Sequence, residues 1–281
     1  MRTYLDCYPC FLRQALTAAR FTGAADETQH AILQEVLAAM QNFELASTPP
    51  ELSNRIHEIV RAYTHHDDPY REVKQASTTQ ALELYPRLKA LIAKSEAPLE
   101  TALRLAIAGN IIDFARPQAY DLWAVIERML GQPFAIDNRK ALRARLAEVG
   151  EVLYLADNAG ETVFDRLLIE TLKPPVVYVV KGGPALNDAT HEDAVAARLD
   201  AVATVVSNGA RSVGTLLDRG SDEFHARFAA AELIIAKGQA NYETLSGRHD
   251  PRVFFLLQVK CPVIGRDIGK PTGSMIVKQE R

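Results

Sequence analysis

The stretch Val152-Leu-Tyr-Leu-Ala-Asp157-Asn158-Ala-Gly160-Glu161 decides the reading of this chain. A short apolar run stops at an acid and an amide. Glycine and a second acid follow, and then Val163, Leu167, Leu168, Thr171 and Leu172 recur at helical spacing. The pattern predicts strand, tight turn and helix. In open α/β sheets, ligands bind in the crevice at the carboxyl ends of strands. Asp157 and Asn158 stand at that point, and their hard oxygens suit magnesium, manganese or calcium.

Working outward, the same alternation repeats. Apolar runs at 152–156, 176–180, 203–206, 233–236 and 253–259 alternate with helical periodicity, which predicts a mostly parallel sheet with helices on both faces. The runs end in polar or glycine-bearing groups: Lys181-Gly-Gly-Pro-Ala-Leu-Asn187-Asp188, Ser207-Asn208-Gly209 and Lys237-Gly238-Gln239-Ala-Asn241. Parallel strands bring these ends to one edge. Asp157, Asn158 and Asp188 are the expected cation ligands, leaving positions for water and substrate. Lys181 and Lys237 bring positive charge suited to a phosphate, and Glu161 is the expected base or orienting acid. The competing readings are bland: Asp157 or Asn158 as a helix cap, Asp188 as the opening of the next helix, the lysines as solvated side chains.

The preceding residues, 1 to about 147, read as helices. Phe11, Leu12, Ala15, Leu16 and Ala19 share a face, as do Ile32, Leu33, Val36, Leu37 and Met40. Thr48-Pro-Pro-Glu51 has capping-box spacing. Asp68 is the expected cap of the next helix, and Pro86 is expected to kink or divide it. The predicted helix over 99–114 carries a buried stripe that ends in Asn110 and Asp113, polar groups aimed at a site or bracing a helix end. The fold class is therefore α/β: a helical N-terminal domain, 1–147, and a Rossmann-like three-layer α/β/α domain, 148–281.

Composition excludes several classes. A formal charge of −3 and a pI near 6.2 lack the basic surface of nonspecific nucleic-acid binders. No apolar stretch is long enough to span a bilayer. Met1-Arg-Thr-Tyr-Leu-Asp-Cys-Tyr lacks a signal peptide's apolar core, so a cytoplasmic location is expected. Three cysteines do not make a disulfide framework, and Cys7-x-x-Cys10 is only half of a zinc site. Dinucleotide, P-loop and nucleophile-elbow fingerprints are absent. Oligomeric state is not readable.

Together, Cys7-x-x-Cys10, Asp68-Pro69-Tyr70, Gly109-Asn110-Ile-Ile-Asp113-Phe114, Asp157-Asn158-Ala-Gly160-Glu161, Asn187-Asp188, Ser207-Asn208-Gly209 and Lys237-Gly238-Gln239-Ala240-Asn241 resemble the domain-of-unknown-function 89 family of damage-control phosphatases, in its prokaryotic C-x-x-C branch. The resemblance runs nearly the whole chain. It implies a metal-dependent phosphatase acting on small sugar phosphates or damaged phosphometabolites, using manganese, cobalt, nickel or magnesium. The implied ligands are Asp157, Asn158 and Asp188, and the implied phosphate lysine is Lys237. Asn110, Asp113, Lys181, Ser207, Asn208 and Asn241 are the accompanying substrate-side candidates. An S-adenosylmethionine-dependent carboxyl methyltransferase and a noncatalytic metal or metabolite binder are the alternatives.

Overall fold

A computed structural model describes residues 1–109 and 122–280. Six helices come first: α1 (Tyr8–Phe21), α2 (Asp26–Met40), α3 (Pro49–Thr64), α4 (Arg71–Ala93), α5 (Pro98–Gly109) and α6 (Leu122–Gly131). Strand and helix then alternate: β1 (Phe134–Asp137), α7 (Arg139–Glu148), β2 (Val152–Leu155), α8 (Thr162–Ile169), β3 (Val176–Val180), α9 (His191–Ala196) and β4 (Thr204–Ser207). The chain finishes with α10 (Asp222–Ala230), β5 (Ile234–Lys237), α11 (Gly238–Leu245), β6 (Val253–Gln258), α12 (Pro262–Ile268) and β7 (Met275–Gln279).

The seven strands form one sheet in the order β1-β7-β6-β5-β2-β3-β4. Strands β6, β5, β2, β3 and β4 are mutually parallel, and β7 runs antiparallel to β6 while pairing in parallel with β1. The five strands expected from the apolar runs are present. The edge strand β1 and its neighbour β7 carry no apolar run long enough to announce them. β1 lies before residue 147, so the sheet draws on both sides of that position.

Alternation along each strand sorts the side chains into two cores. Tyr154, Tyr178, Ile235, Phe254 and Leu256 pack under α4, α5 and α8. Leu153, Leu155, Val177, Val179, Ala236 and Phe255 pack against α10, α11 and α12. A third core joins α1, α2 and α3 around Phe11, Ile32, Val36 and Ile56, with Val263 of α12 included. The N-terminal helices thus serve two purposes. α4 and α5 cover one sheet face, while α1–α3 stand beside the carboxyl edge of the sheet.

Local expectations fared unevenly. Thr48 and Glu51 form the predicted capping box. Pro86 lies inside α4 without dividing it. Asp68 does not cap α4 from the N-cap position, which Tyr70 occupies; Asp68 instead pairs with Lys74 at 2.8 Å. Asn110 and Asp113 lie outside the described residues. Among the described residues no helix is long and apolar enough to cross a membrane.

Candidate active site

The carboxyl ends of the parallel strands meet as the sequence pattern requires. Asp157 and Asn158 follow β2, Lys181 follows β3, and Lys237 ends β5. The backbone joins two of these loops directly: Ala159 N–H donates to Asn187 O at 2.8 Å, and Ala189 N–H to Asp157 O at 2.8 Å. Asn158 and Asp188 form a bridge between the loops. This brings the three expected cation ligands together, although thirty residues separate them in sequence.

The bland readings of these residues do not hold. Asn158 occupies the N-cap position of the turn Ala159–Glu161 but makes no side-chain cap hydrogen bond. The helix after Asp188 is opened by Thr190, which forms a capping box with Asp193. Asp188 is thereby left to face the loop of β2.

Among the described residues, four buried carboxylates, Asp157, Glu161, Asp165 and Asp188, gather with two buried ammonium groups, Lys181 and Lys237. Asp157 shows the consequence. Burial pushes its pKa well above the carboxylate range, Glu161 and Asp188 push it further, and Lys260 and Lys181 pull against them. Asp188 is raised to about 6 by burial, against the pull of Lys181. Its Oδ2 accepts no hydrogen bond and lies 3.5 Å from Lys181 Nζ, which donates instead to Gly214 O at 2.6 Å. An acceptor in that state is costly without a cation. Asn158 spends its amide hydrogens on Asp157 Oδ2 (3.1 Å) and Glu161 Oε1 (2.5 Å), leaving its amide oxygen as an acceptor. The donor set of two carboxylates and an amide oxygen therefore fits a hard divalent cation. Among the described residues no three His, Cys, Asp or Glu side chains form a metal-holding group; the amide is what completes this set. Close approach also requires Gly238 (φ +77°), because a Cβ there would fall 1.7 Å from Asp157 Oδ2.

Lys237 departs from the expectation placed on it. It is fully buried, and its Nζ reaches Asp165 Oδ1 at 2.5 Å and Glu161 Oε2 at 3.1 Å. Tyr154 and Tyr178 donate to the two Asp165 oxygens at 2.7 and 2.8 Å. Burial opposes the lysine's charge, but Asp165 and Glu161 outweigh it and leave its pKa raised. This ammonium lies beneath the site and does not reach the cavity.

The cavity itself, about 420 Å³, is lined by Asp157, Asn158, Asn187 and Asp188 on one side. Its lining also includes Cys7, Cys10, Arg13 and Gln14 of the N-terminal segment, Ser53 of α3, and Gln239, Glu243, Lys260 and Cys261. Lys181, Ser207, Asn208, Lys237 and Asn241 do not line it. Asn208 accepts from the Gly182 and Ala210 amides, and Ser207 from the Gly209 amide. Asn241 donates to Ala156 O and Lys237 O and accepts from Thr215. These are the braces that hold the strand-end loops. Sequence reasoning missed Lys260 and Asp165. Asp165 had a signal, since it follows Glu161 by one helical turn.

The match to known proteins covers the whole of this architecture. The model of the damage-control phosphatase ARMT1-like domain matches residues 3–276. The chain belongs to this family. A damage-control phosphatase of Pyrococcus horikoshii is 34% identical over 100% of this chain and 99% of its own length. One of Archaeoglobus fulgidus is 32% identical over 97% of each. The crystal structure of a DUF89 family protein from Pyrococcus horikoshii superposes with a TM-score of 0.91 over 100% of both chains, at 32% identity. Membership agrees with the resemblance carried by the Asp157-to-Glu161 and Lys237-to-Asn241 blocks; the C-x-x-C branch is a finer assignment than these matches make.

Proposed function

We propose that this family member is a metal-dependent phosphatase that hydrolyses small phosphorylated metabolites, sugar phosphates among them. The observation that carries the reading is the meeting of Asp157, Asn158 and Asp188, with an Asp188 oxygen that accepts no hydrogen bond, on a cavity of metabolite size. Relatives named damage-control phosphatases support it.

Asp157, Asn158 and Asp188 would hold the cation. A divalent ion such as manganese, cobalt, nickel or magnesium supplies Lewis-acid polarisation of a phosphoryl oxygen and acidifies water. The protein's own residues do the rest. Glu161, gripped by Lys237 on one oxygen and by Asn158 on the other, fixes the amide whose carbonyl oxygen would be offered to the cation. Lys181 steadies Asp188. Lys260 lines the cavity, lowers the pKa of Asp157 through its charge, and has no ion-pair partner among the described residues. We assign it the phosphate-holding role first given to Lys237, because it is the cation in reach of a bound ester.

Asp157→Ala should abolish manganese binding and hydrolysis while leaving the thermal transition in place. The test is calorimetric metal titration beside a phosphatase screen over sugar phosphates and phosphometabolites with each divalent ion. Full activity in the variant, or after chelation, defeats the reading. Metal binding without turnover across the panel would make the protein a sensor.

A further inference from the structure

The C-x-x-C motif has no part in the site just described, yet the fold places it on the same cavity. All three cysteines of the chain are free thiols, and all three line that cavity. Cys7 is buried and Cys10 is exposed. Cys261 packs from the far end of the sequence against the apolar cluster that contains Cys7. Gln14 donates to Cys10 Sγ and Gln239 to Cys261 Sγ, each at 3.8 Å.

Cys7 and Cys10 are three residues apart across the first turn of α1, and Cys7 already has right-handed helical backbone angles. Helical geometry sets their Cα atoms about 5 Å apart. That falls inside the window of roughly 4.4–6.8 Å in which a disulfide closes without moving the backbone. Cys261 stands near enough to act on both thiols through its charge, but no helical turn fixes its spacing to either.

We propose that Cys7 and Cys10 form a dithiol modification site that takes a low-molecular-weight disulfide from solution. The exposed Cys10 is the entry point. Its thiolate attacks one sulfur of the incoming disulfide, forms a mixed disulfide and releases one thiol. The Cys7 thiolate then attacks the Cys10 sulfur, forms the Cys7–Cys10 bond and releases the second thiol. The protein loses two electrons and two protons, and the incoming disulfide becomes two thiols. Partial loss of solvent around the sulfurs raises both thiols above their ordinary pKa. The pair is therefore protonated at neutral pH, and exchange accelerates as pH rises.

The test uses the full chain incubated with oxidised glutathione at neutral and alkaline pH, followed by thiol counting, intact mass and peptide mapping, with circular dichroism as the folding check. Wild type should lose two of its three thiols, keep no adduct and show a Cys7–Cys10 linked peptide, faster at the higher pH. Cys7→Ser should stop at a stable glutathione adduct on Cys10. Cys261→Ser should behave as wild type. The proposal is overturned if wild type keeps all three thiols at alkaline pH, if the linked peptide contains Cys261, or if Cys7→Ser carries no adduct. None of these outcomes depends on the phosphatase reading.

Discussion

Strands β5 and β6 lie side by side and each delivers a lysine to the same edge of the sheet, with opposite results. Lys237 ends β5 under the site, fully buried, held by Asp165 and Glu161. Lys260 follows β6, exposed, on the wall of the cavity. One ammonium belongs to a buried frame that positions the carboxylates; the other faces whatever enters. The difference arises from what surrounds each strand end. β5 is flanked by β2 and β6, and Asp165 of α8 and Glu161 of the turn before it close over its lysine. Beyond β6 the chain leaves the sheet before α12 begins, so its lysine is turned outward.

The largest effect should come from breaking the frame. Lys237→Met takes from Asp165 and Glu161 the buried ammonium that both contact. Loss of one partner from a buried pair costs about 3–5 kcal/mol, so the thermal transition should fall by many degrees or folding should fail. A transition within a degree of wild type would place Lys237 outside the frame. Asn54 tests the frame from the helical side. Its Oδ1 accepts from Val213 N–H at 2.9 Å, and the next residue, Gly214, receives Lys181. Asn54→Leu removes that acceptor at a buried position, a loss of about 1–3 kcal/mol, and should weaken manganese binding as well as lower stability. Lowered stability with unchanged metal affinity would confine Asn54 to packing.

The frame and the wall also differ in how far the sequence discloses them. Four of the five apolar runs stand out because a strand buried on both faces, as β2, β3, β5 and β6 are, needs continuous apolar residues. Their convergence then follows from parallel topology alone, and so do Asp157, Asn158 and Asp188. Which lysine meets the cavity is not written in periodicity. Lys237 ends one apolar strand and Lys260 follows another; only Glu161 of the turn after β2 and Asp165 of α8 decide that the first is enclosed. The braces Asn208 and Asn241 look like binding residues for the same reason: a polar side chain at a strand end reads alike whether it meets a ligand or a backbone amide. β1 and β7 were hidden because their apolar runs, Phe134-Ala-Ile136 and Met275-Ile-Val277, are too short to stand out.

On the wall, Lys260→Ala should leave the thermal transition unchanged, since the side chain has no ion-pair partner among the described residues. With a phosphomonoester substrate, KM should rise about tenfold, roughly 1.4 kcal/mol of lost charge-assisted contact. Steady-state kinetics of Lys260→Ala and Lys260→Arg beside wild type make the measurement. Unchanged KM in the alanine variant would return the phosphate-holding role to another residue.

The smallest effect concerns Glu243, which lines the cavity next to Gln239. Burial pushes its carboxyl from the ordinary 4.5 up to about 7, opposed by the hydrogen bond from Gln239 and by the terminal ammonium. The folded protein therefore holds this proton more tightly than the unfolded chain does. Its contribution is fully present below about 4.5 and is lost as pH rises to about 7, so stability from this group declines across that window. Glu243→Gln keeps the shape and the partner Gln239 but removes the titration. A plot of melting temperature against pH should then be less steeply falling between these limits for the variant than for wild type. Parallel curves would mean that the carboxyl remains ionised in the wall, and the cavity would then carry one more negative charge opposite Lys260 than this geometry implies.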